Sequence, residues 1–293
     1  MSETIRRRRF CKQSMLLGTG LLLAGNHLRR TDAAPKGPPV NDTFKTIGSL
    51  RTTHGNFTDK PIPDNQLDLI LDATVRAANA SNMQTYSIIV IKDRAKMKAV
   101  CGYQASCLLV YCVDHNRLKS CAKALDHPYL PDNMNNFITA STNTILAVQT
   151  AAIAARSLGI DYLITNGIHR GDMKRQWDLL DLPEKHCYPL IALVLGYPTE
   201  EPAVKKGRLT GAGIIHREKY HALTTEQVND IIAQYDDPDN HLALSDAWKS
   251  QGHKHYLDWL FTAWLRGDAQ PTTKETQMLT LLKRTGFVEP HTG

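Results

Sequence analysis

The sequence predicts a layered core of the α+β or α/β class that carries an all-helical C-terminal extension. Three observations predict it. Strand-like segments alternate with helical ones from residue 63 to about residue 200; a long Ala- and Thr-rich helix runs through the middle; and beyond Tyr220 only helix-period patterns remain. Of the 293 residues 42% are hydrophobic and 22% charged, which excludes disordered, collagen-like and disulfide-stapled classes.

The elements follow in order. Residues 35–43 read as a linker, with the ordered body beginning near Thr43. Leu67, Ile70, Leu71, Thr74, Val75 and Ala78 have the spacing of an amphipathic helix, with Asp64 as its N-cap. Residues 86–92 and 107–113 make strands from their β-branched and apolar content. Residues 137–158 form a helix ended by Gly159, apolar on more than one face and therefore buried within the domain or against a second subunit. Residues 162–165 and 190–195 supply further strands, with a helix over 172–180 between them that stops before Pro183. In the extension, helices are expected over 225–235, once or twice over 244–265, and over 276–283, where Thr272 to Glu275 read as a capping box.

Charge is uneven. Residues 1–34 hold seven cations against Glu3 and Asp32, which is five of the six net positive charges. The rest of the chain is near neutral and shows no basic cluster of the kind that binds nucleic acid. Arg7-Arg8-x-Phe10-x-Lys12 precedes an apolar run of 11 residues, Met15 to Gly25. That run is shorter than the roughly 20 residues of a membrane span and reads as an export signal over 1–34, of the twin-arginine type that carries folded, cofactor-loaded proteins. The expected location is the periplasm or cell envelope, or the cytoplasm where the leader does not act, without stable membrane insertion.

The body has five cysteines with no Cys-x-x-Cys or zinc spacing, and they are expected to be core thiols. No phosphate-binding Gly-rich loop, nucleophile elbow or zinc motif appears in the body, and His253-Lys254-His255 reads as a solvated face.

Four short segments carry a resemblance. Arg51-Thr-Thr-His-Gly-Asn-Phe57-Thr-Asp-Lys-Pro-Ile-Pro63 is similar to an opening Arg-Arg-Ser-x-Arg-x-Phe-x-x-x-Pro-Ile/Val segment, and Ala77-Ala-Asn-Ala-Ser-Asn-Met-Gln84 to Ala-Pro-Ser-Gly-x-Asn-x-Gln. Gly159-Ile-Asp-Tyr-Leu-Ile-Thr-Asn-Gly167 resembles Gly-Leu-Gly-x-x-x-Ile-Gly-Gly, and Leu195-Gly-Tyr-Pro198 with Lys206-Gly-Arg208-Leu resembles a closing Leu-Gly-Tyr-Pro and Lys-x-Arg-Leu. In this order they resemble the FMN-dependent nitroreductase family. The helical tail resembles that of its larger class, the NADPH-flavin oxidoreductases and oxygen-insensitive nitroreductases.

The resemblance implies an α+β fold, a mixed sheet sandwiched by helices, in an intertwined homodimer. It places an FMN-binding domain over 44–223 and the helical extension over 224–293, with FMN at the subunit interface. It implies an oxidoreductase that passes a hydride or electrons through flavin N5 in a ping-pong cycle to nitroaromatics, quinones or related small acceptors. A non-catalytic FMN-binding or sensing protein and a flavin-dependent reductive dehalogenase share the implied fold. Arg51, Lys206 and Arg208 would hold the phosphate, with Thr52 and Thr53 as added donors. Asn79, Asn82 and Gln84 would contact the ring or ribityl chain, and the Thr165-Asn166-Gly167 loop would approach the ring, its Gly leaving room. No catalytic side chain and no metal is expected, because the cofactor carries the chemistry. NAD(P)H is the donor of the family, but the segment Asp236 to Asn240 sets carboxylates where NADPH would bring its 2′-phosphate, which favours a quinol or a small redox protein.

Overall fold

Residues 107–113 are apolar on both faces, and in the computed structural model of the chain they form, with Asp114, a central strand of a four-stranded sheet. The structure describes residues 40–170, 172–265 and 273–288, so the leader and the Thr272 capping box lie outside the described residues. From Asn41 onward the chain forms one unit.

The strands are β1 (Tyr86–Ile91), β2 (Cys107–Asp114), β3 (Asp161–Thr165) and β4 (Cys187–Gly196), in the order β1-β2-β4-β3. Among the described residues every ladder is antiparallel, and the mixed sheet that was expected is not seen there. The reason is topological: β2 and β3 run parallel to each other, but β4 lies between them and is antiparallel to both.

Helices cover both faces. Successive side chains of a strand point to opposite sides, so Leu109 and Tyr111 of β2 meet α2 (Asp64–Thr74) and α5 (Met134–Ser157), whereas Leu108 and Val110 meet α3 (Arg94–Cys101) and α6 (Arg175–Leu180). Ala147, Ala151 and Ala155 of α5 have side chains small enough to bring that helix close to the sheet, and all are fully buried. Ile138, Ile145 and Leu146 on its other side are exposed. The helix α2 starts one residue earlier than a cap at Asp64 requires: Pro63 holds the N-cap position, and Asp64 sits in the first turn, where its carboxylate suits the helix dipole and reaches Lys92. α1 (Asp42–Gly48), capped by Asn41, begins inside the expected linker. Cys101, Cys107, Cys112 and Cys187 are buried free thiols, and burial pushes the Cys107 thiol up to about 12, but Cys121 on α4 (Asn116–Ala124) is exposed.

The extension contributes α7 (Thr225–Asp236), the single turns α8 (Ala247–Ser250) and α9 (Tyr256–Trp259), a π-helical turn over Leu260–Leu265, and α10 (Thr273–Arg284). Of the one or two helices expected over 244–265, the structure has two short ones, α8 and α9, divided where Gly252 adopts φ +80°, a left-handed conformation that ends a helix. Leu281 and the following Phe287 bury against Val113, Trp177 and Tyr188, so the chain end packs on the core.

Two histidines lie under that chain end. His115 is buried beside Phe287, its Nδ1 within 2.8 Å of the Tyr129 hydroxyl, and the His186 imidazole pairs with Asp132. Burial lowers the His115 pKa from 6.5, so on acidification the unfolded chain takes up this proton before the folded one does. The stability this group confers is therefore present above about pH 6.5 and lost as the pH falls through the lower folded value. We expect His115→Gln to show a smaller drop in Tm between about pH 7 and about pH 5 than the wild-type chain. Thermal denaturation at the two pH values checks this, and equal drops would refute it.

Candidate anion-binding site

Cations from two distant segments meet at the edge of the sheet. The stretch after α1 runs extended beside β3, where the Thr53 amide donates to the Tyr162 carbonyl at 3.0 Å, and the segment after β4 lies across from it. Arg51, Thr52, Thr53, Lys206 and Arg208 share one open cavity of about 590 Å3, with Lys205 and Glu201 on its wall. An adjoining hollow of about 440 Å3 extends from the same cations to Tyr162 and to Gln149 of α5.

Lys206 and Arg208 both line the cavity, and the glycine between them has a steric cause. A Cβ on Gly207 would lie 2.0 Å from the Asn240 carbonyl oxygen. The Gly207 amide donates to His241 O at 3.2 Å, and Lys206 Nζ donates to Ala243 O at 2.5 Å. The extension is thus docked behind the cationic segment. Its Asp236 carboxylate is already engaged, with His255 Nδ1 at 2.6 Å and the Tyr256 amide at 2.8 Å. His255 is therefore a hydrogen-bond partner of Asp236, half-buried rather than part of a solvated face.

The partners of Arg51 were not visible in the sequence. Asp161, 1% exposed, accepts from Arg51 Nε at 2.8 Å and Nη2 at 2.7 Å, from the Thr53 hydroxyl at 2.9 Å, and from Arg156. Glu201 takes Arg51 Nη1 at 2.6 Å. The Arg51 guanidinium is accordingly held further above its ordinary value, first by the Glu201 hydrogen bond and then, against the cost of burial, by Asp161. Thr53 spends its hydroxyl on Asp161 rather than offering it to the cavity. One signal could have exposed this network: a carboxylate inside the apolar run Ile160 to Ile164 must be paired if it is buried.

The other expected residues lie in two further places, and none of them lines the cation-walled cavity. Asn79, Asn82 and Gln84 sit around a single 3-10 turn before β1. There the Asn79 side chain accepts from the Gln84 amide at 3.0 Å, and Ser81, Asn82 and Gln84 are bent into positive φ. The turn is anchored on α5 by the buried Asn143, which accepts from the Ala80 amide and donates to Thr85, each at 2.9 Å. Asn79 borders a shallow hollow of about 340 Å3 with Ile138 and Leu146 of α5.

Thr165, Asn166 and Gly167 end β3. The Thr165 hydroxyl accepts from the Gly167 amide at 2.9 Å, and Asn166 is exposed. Gly167 owes its identity to the interior: a Cβ there would lie 2.4 Å from the Cys101 carbonyl oxygen at the end of α3. Gly167→Ala should therefore lower the unfolding free energy by about 2 kcal/mol or more, since backbone must shift to accommodate it. Urea denaturation measures this, and an unchanged midpoint would show that the two segments separate freely.

A family model described as the nitroreductase family matches residues 49–128. An oxygen-insensitive NADPH nitroreductase of Salmonella typhimurium is 32% identical over 191 residues, which is 62% of this chain and 75% of that protein. An FMN reductase [NAD(P)H] of Bacillus subtilis is 29% identical over 209 residues, 68% of this chain and 81% of its own. Among solved structures, B. megaterium NfrA2 superposes with a TM-score of 0.71 at 26% identity, over 85% of this chain and 98% of that one.

Proposed function

This chain belongs to the nitroreductase family, and from that premise we propose that it is an FMN-dependent oxidoreductase acting on nitroaromatics, quinones or related small electron acceptors. The observation that carries the reading is the convergence of Arg51, Thr52, Thr53, Lys206 and Arg208 on one cavity. The donor set fits a phosphate ester: among the described residues Lys205, Lys206 and Arg208 donate to backbone carbonyls, and a dianion offers them more.

FMN, when bound, supplies the two-electron chemistry. The chain's own residues bind and orient. Lys206 and Arg208 hold the phosphate from either side of Gly207, and the Thr52 hydroxyl adds a donor. Asp161 fixes the Arg51 guanidinium from beneath, which keeps its Nη1 edge turned toward the cavity. The amides of Asn79, Asn82 and Gln84 can donate and accept along a ring edge.

Those amides lie away from the cationic cavity within one protomer, which supports a homodimer in which a second copy brings them to it. The exposed Ile138, Ile145 and Leu146 beside Asn79 are the apolar surface such a copy would cover. Asp237 lines a hollow together with Lys206, and this acidity favours a donor without a 2′-phosphate, a quinol or small redox protein ahead of NADPH.

The test is the visible spectrum of the purified full chain during titration with NADH, NADPH and dithionite, followed by a nitroaromatic or quinone. Flavin bands that bleach and are quickly restored by the acceptor are expected. A chain that stays colourless after FMN is added refutes the reading. Slow reoxidation would leave only a flavin-binding protein, and fast bleaching by NADPH would overturn the donor preference. We place the protein outside the cytoplasm on the strength of Arg7-Arg8-x-Phe10-x-Lys12; cell fractionation with Arg7→Lys and Arg8→Lys checks this, retention of both forms in the cytoplasm counting against it.

A further inference from the structure

Among the described residues Arg51 is the one cation of the cavity that carboxylates hold. The two carboxylates differ in kind. Asp161 is buried at 1% exposure and takes Nε and Nη2 from the protein side. Glu201 has a side chain 77% exposed, sits on the cavity wall and takes Nη1 from the open side. The edge of Arg51 that an incoming anion would use is therefore already filled by an anion of the chain itself. Its charge is secure at neutral pH, because the Arg51 hydrogen bond holds the Glu201 carboxyl below the ordinary carboxylate range.

We propose that Glu201 is a tethered competitor for the cradle: its carboxylate keeps Arg51 until a phosphate dianion displaces it, so that this residue sets how tightly phosphorylated flavin is held. The inference rests on the FMN reading above. A carboxylate brings one charge and two oxygens, whereas a phosphate ester brings nearly two charges and three oxygens, enough to engage Arg51 Nη1 together with Lys206 and Arg208. Exchange is easy because Glu201 is already mostly hydrated and returns to water at little cost. Asp161 cannot exchange, since its release would leave a charge buried without a partner. A tethered group competes at an effective concentration on the order of millimolar, so only a ligand that gains more from the cradle than the carboxylate does will occupy it. Riboflavin has no phosphate, gains nothing from Arg51, and should be indifferent to Glu201.

The experiment compares Glu201→Gln with Glu200→Gln, which removes the same charge from the same cavity wall but from a residue with no ion pair to Arg51. The full chain, freed of flavin by dialysis, is titrated with FMN and with riboflavin by flavin fluorescence. Glu201→Gln is expected to tighten FMN about fivefold and Glu200→Gln less than about twofold, with riboflavin unchanged in both. Equal effects of the two variants would mean general repulsion and overturn the proposal, as would no effect of either. If neither the wild type nor the variants bind FMN, the FMN reading falls. Inorganic phosphate then decides the inference alone: a larger rise in Tm for Glu201→Gln than for Glu200→Gln upholds the displacement, and an equal rise overturns it.

Discussion

Asp161→Ala is expected to lower the unfolding free energy by about 3 kcal/mol, among the largest losses available from a single side chain of this protein. The carboxylate is buried and is the common acceptor for Arg51, Arg156 and the Thr53 hydroxyl. Its removal takes a carboxylate from two partly buried guanidinium groups, Arg51 keeping Glu201 and Arg156 keeping the Ser49 hydroxyl. Their side chains keep 14% and 20% exposure, so partial hydration puts the loss at the low end of the range for a broken buried pair. Urea denaturation gives the magnitude, and a double-mutant cycle with Arg51→Ala identifies the cause. The combined loss should fall short of the sum, because each single variant also carries the penalty of the stranded partner. A loss below about 1 kcal/mol, or strict additivity, would show that the network is a bystander.

The second large effect concerns binding. Lys206→Ala combined with Arg208→Ala removes two charge-assisted donors, each worth about 1.5–3 kcal/mol, so the Kd for FMN should rise by roughly a hundredfold or more. Stability should barely change, since both side chains are exposed. Riboflavin affinity should not follow, because it carries no phosphate. Fluorescence titration with the two flavins separates these outcomes. A rise of less than about threefold for FMN, or an equal rise for both flavins, would place the phosphate elsewhere.

The strands and the longest helix were legible because their signals are local. The expected strand at residues 86–92 is Tyr86–Ile91, and the helix expected at 137–158 is Met134–Ser157, extended at its start by the Asn133 cap. The helices α3 and α4 passed unread: at eight and nine residues each spans little more than two turns, too short for periodicity alone to mark them. The caps of α3 were nonetheless written in the chain, Asp93 accepting from the Lys96 amide at its start and Gly102 in the left-handed conformation at its end.

For the site, the sequence singled out Arg51, Lys206 and Arg208 by their charge, and the structure places all three on the wall of one cavity. The role of Gly167 was not legible, because its neighbour Cys101 is brought to it by packing and not by sequence distance. The same holds for Arg51, whose partner Asp161 lies 110 positions away.

Local periodicity, capping chemistry and charge are properties of short stretches of chain, and they marked the four strands, the longest helix and the helical character of the tail. The antiparallel strand order, the carboxylates that claim Arg51, and the docking of the tail behind Gly207 were settled only in three dimensions. Coulomb attraction and steric exclusion depend on separation in space. That separation exists only once β3, β4 and the extension have been brought side by side.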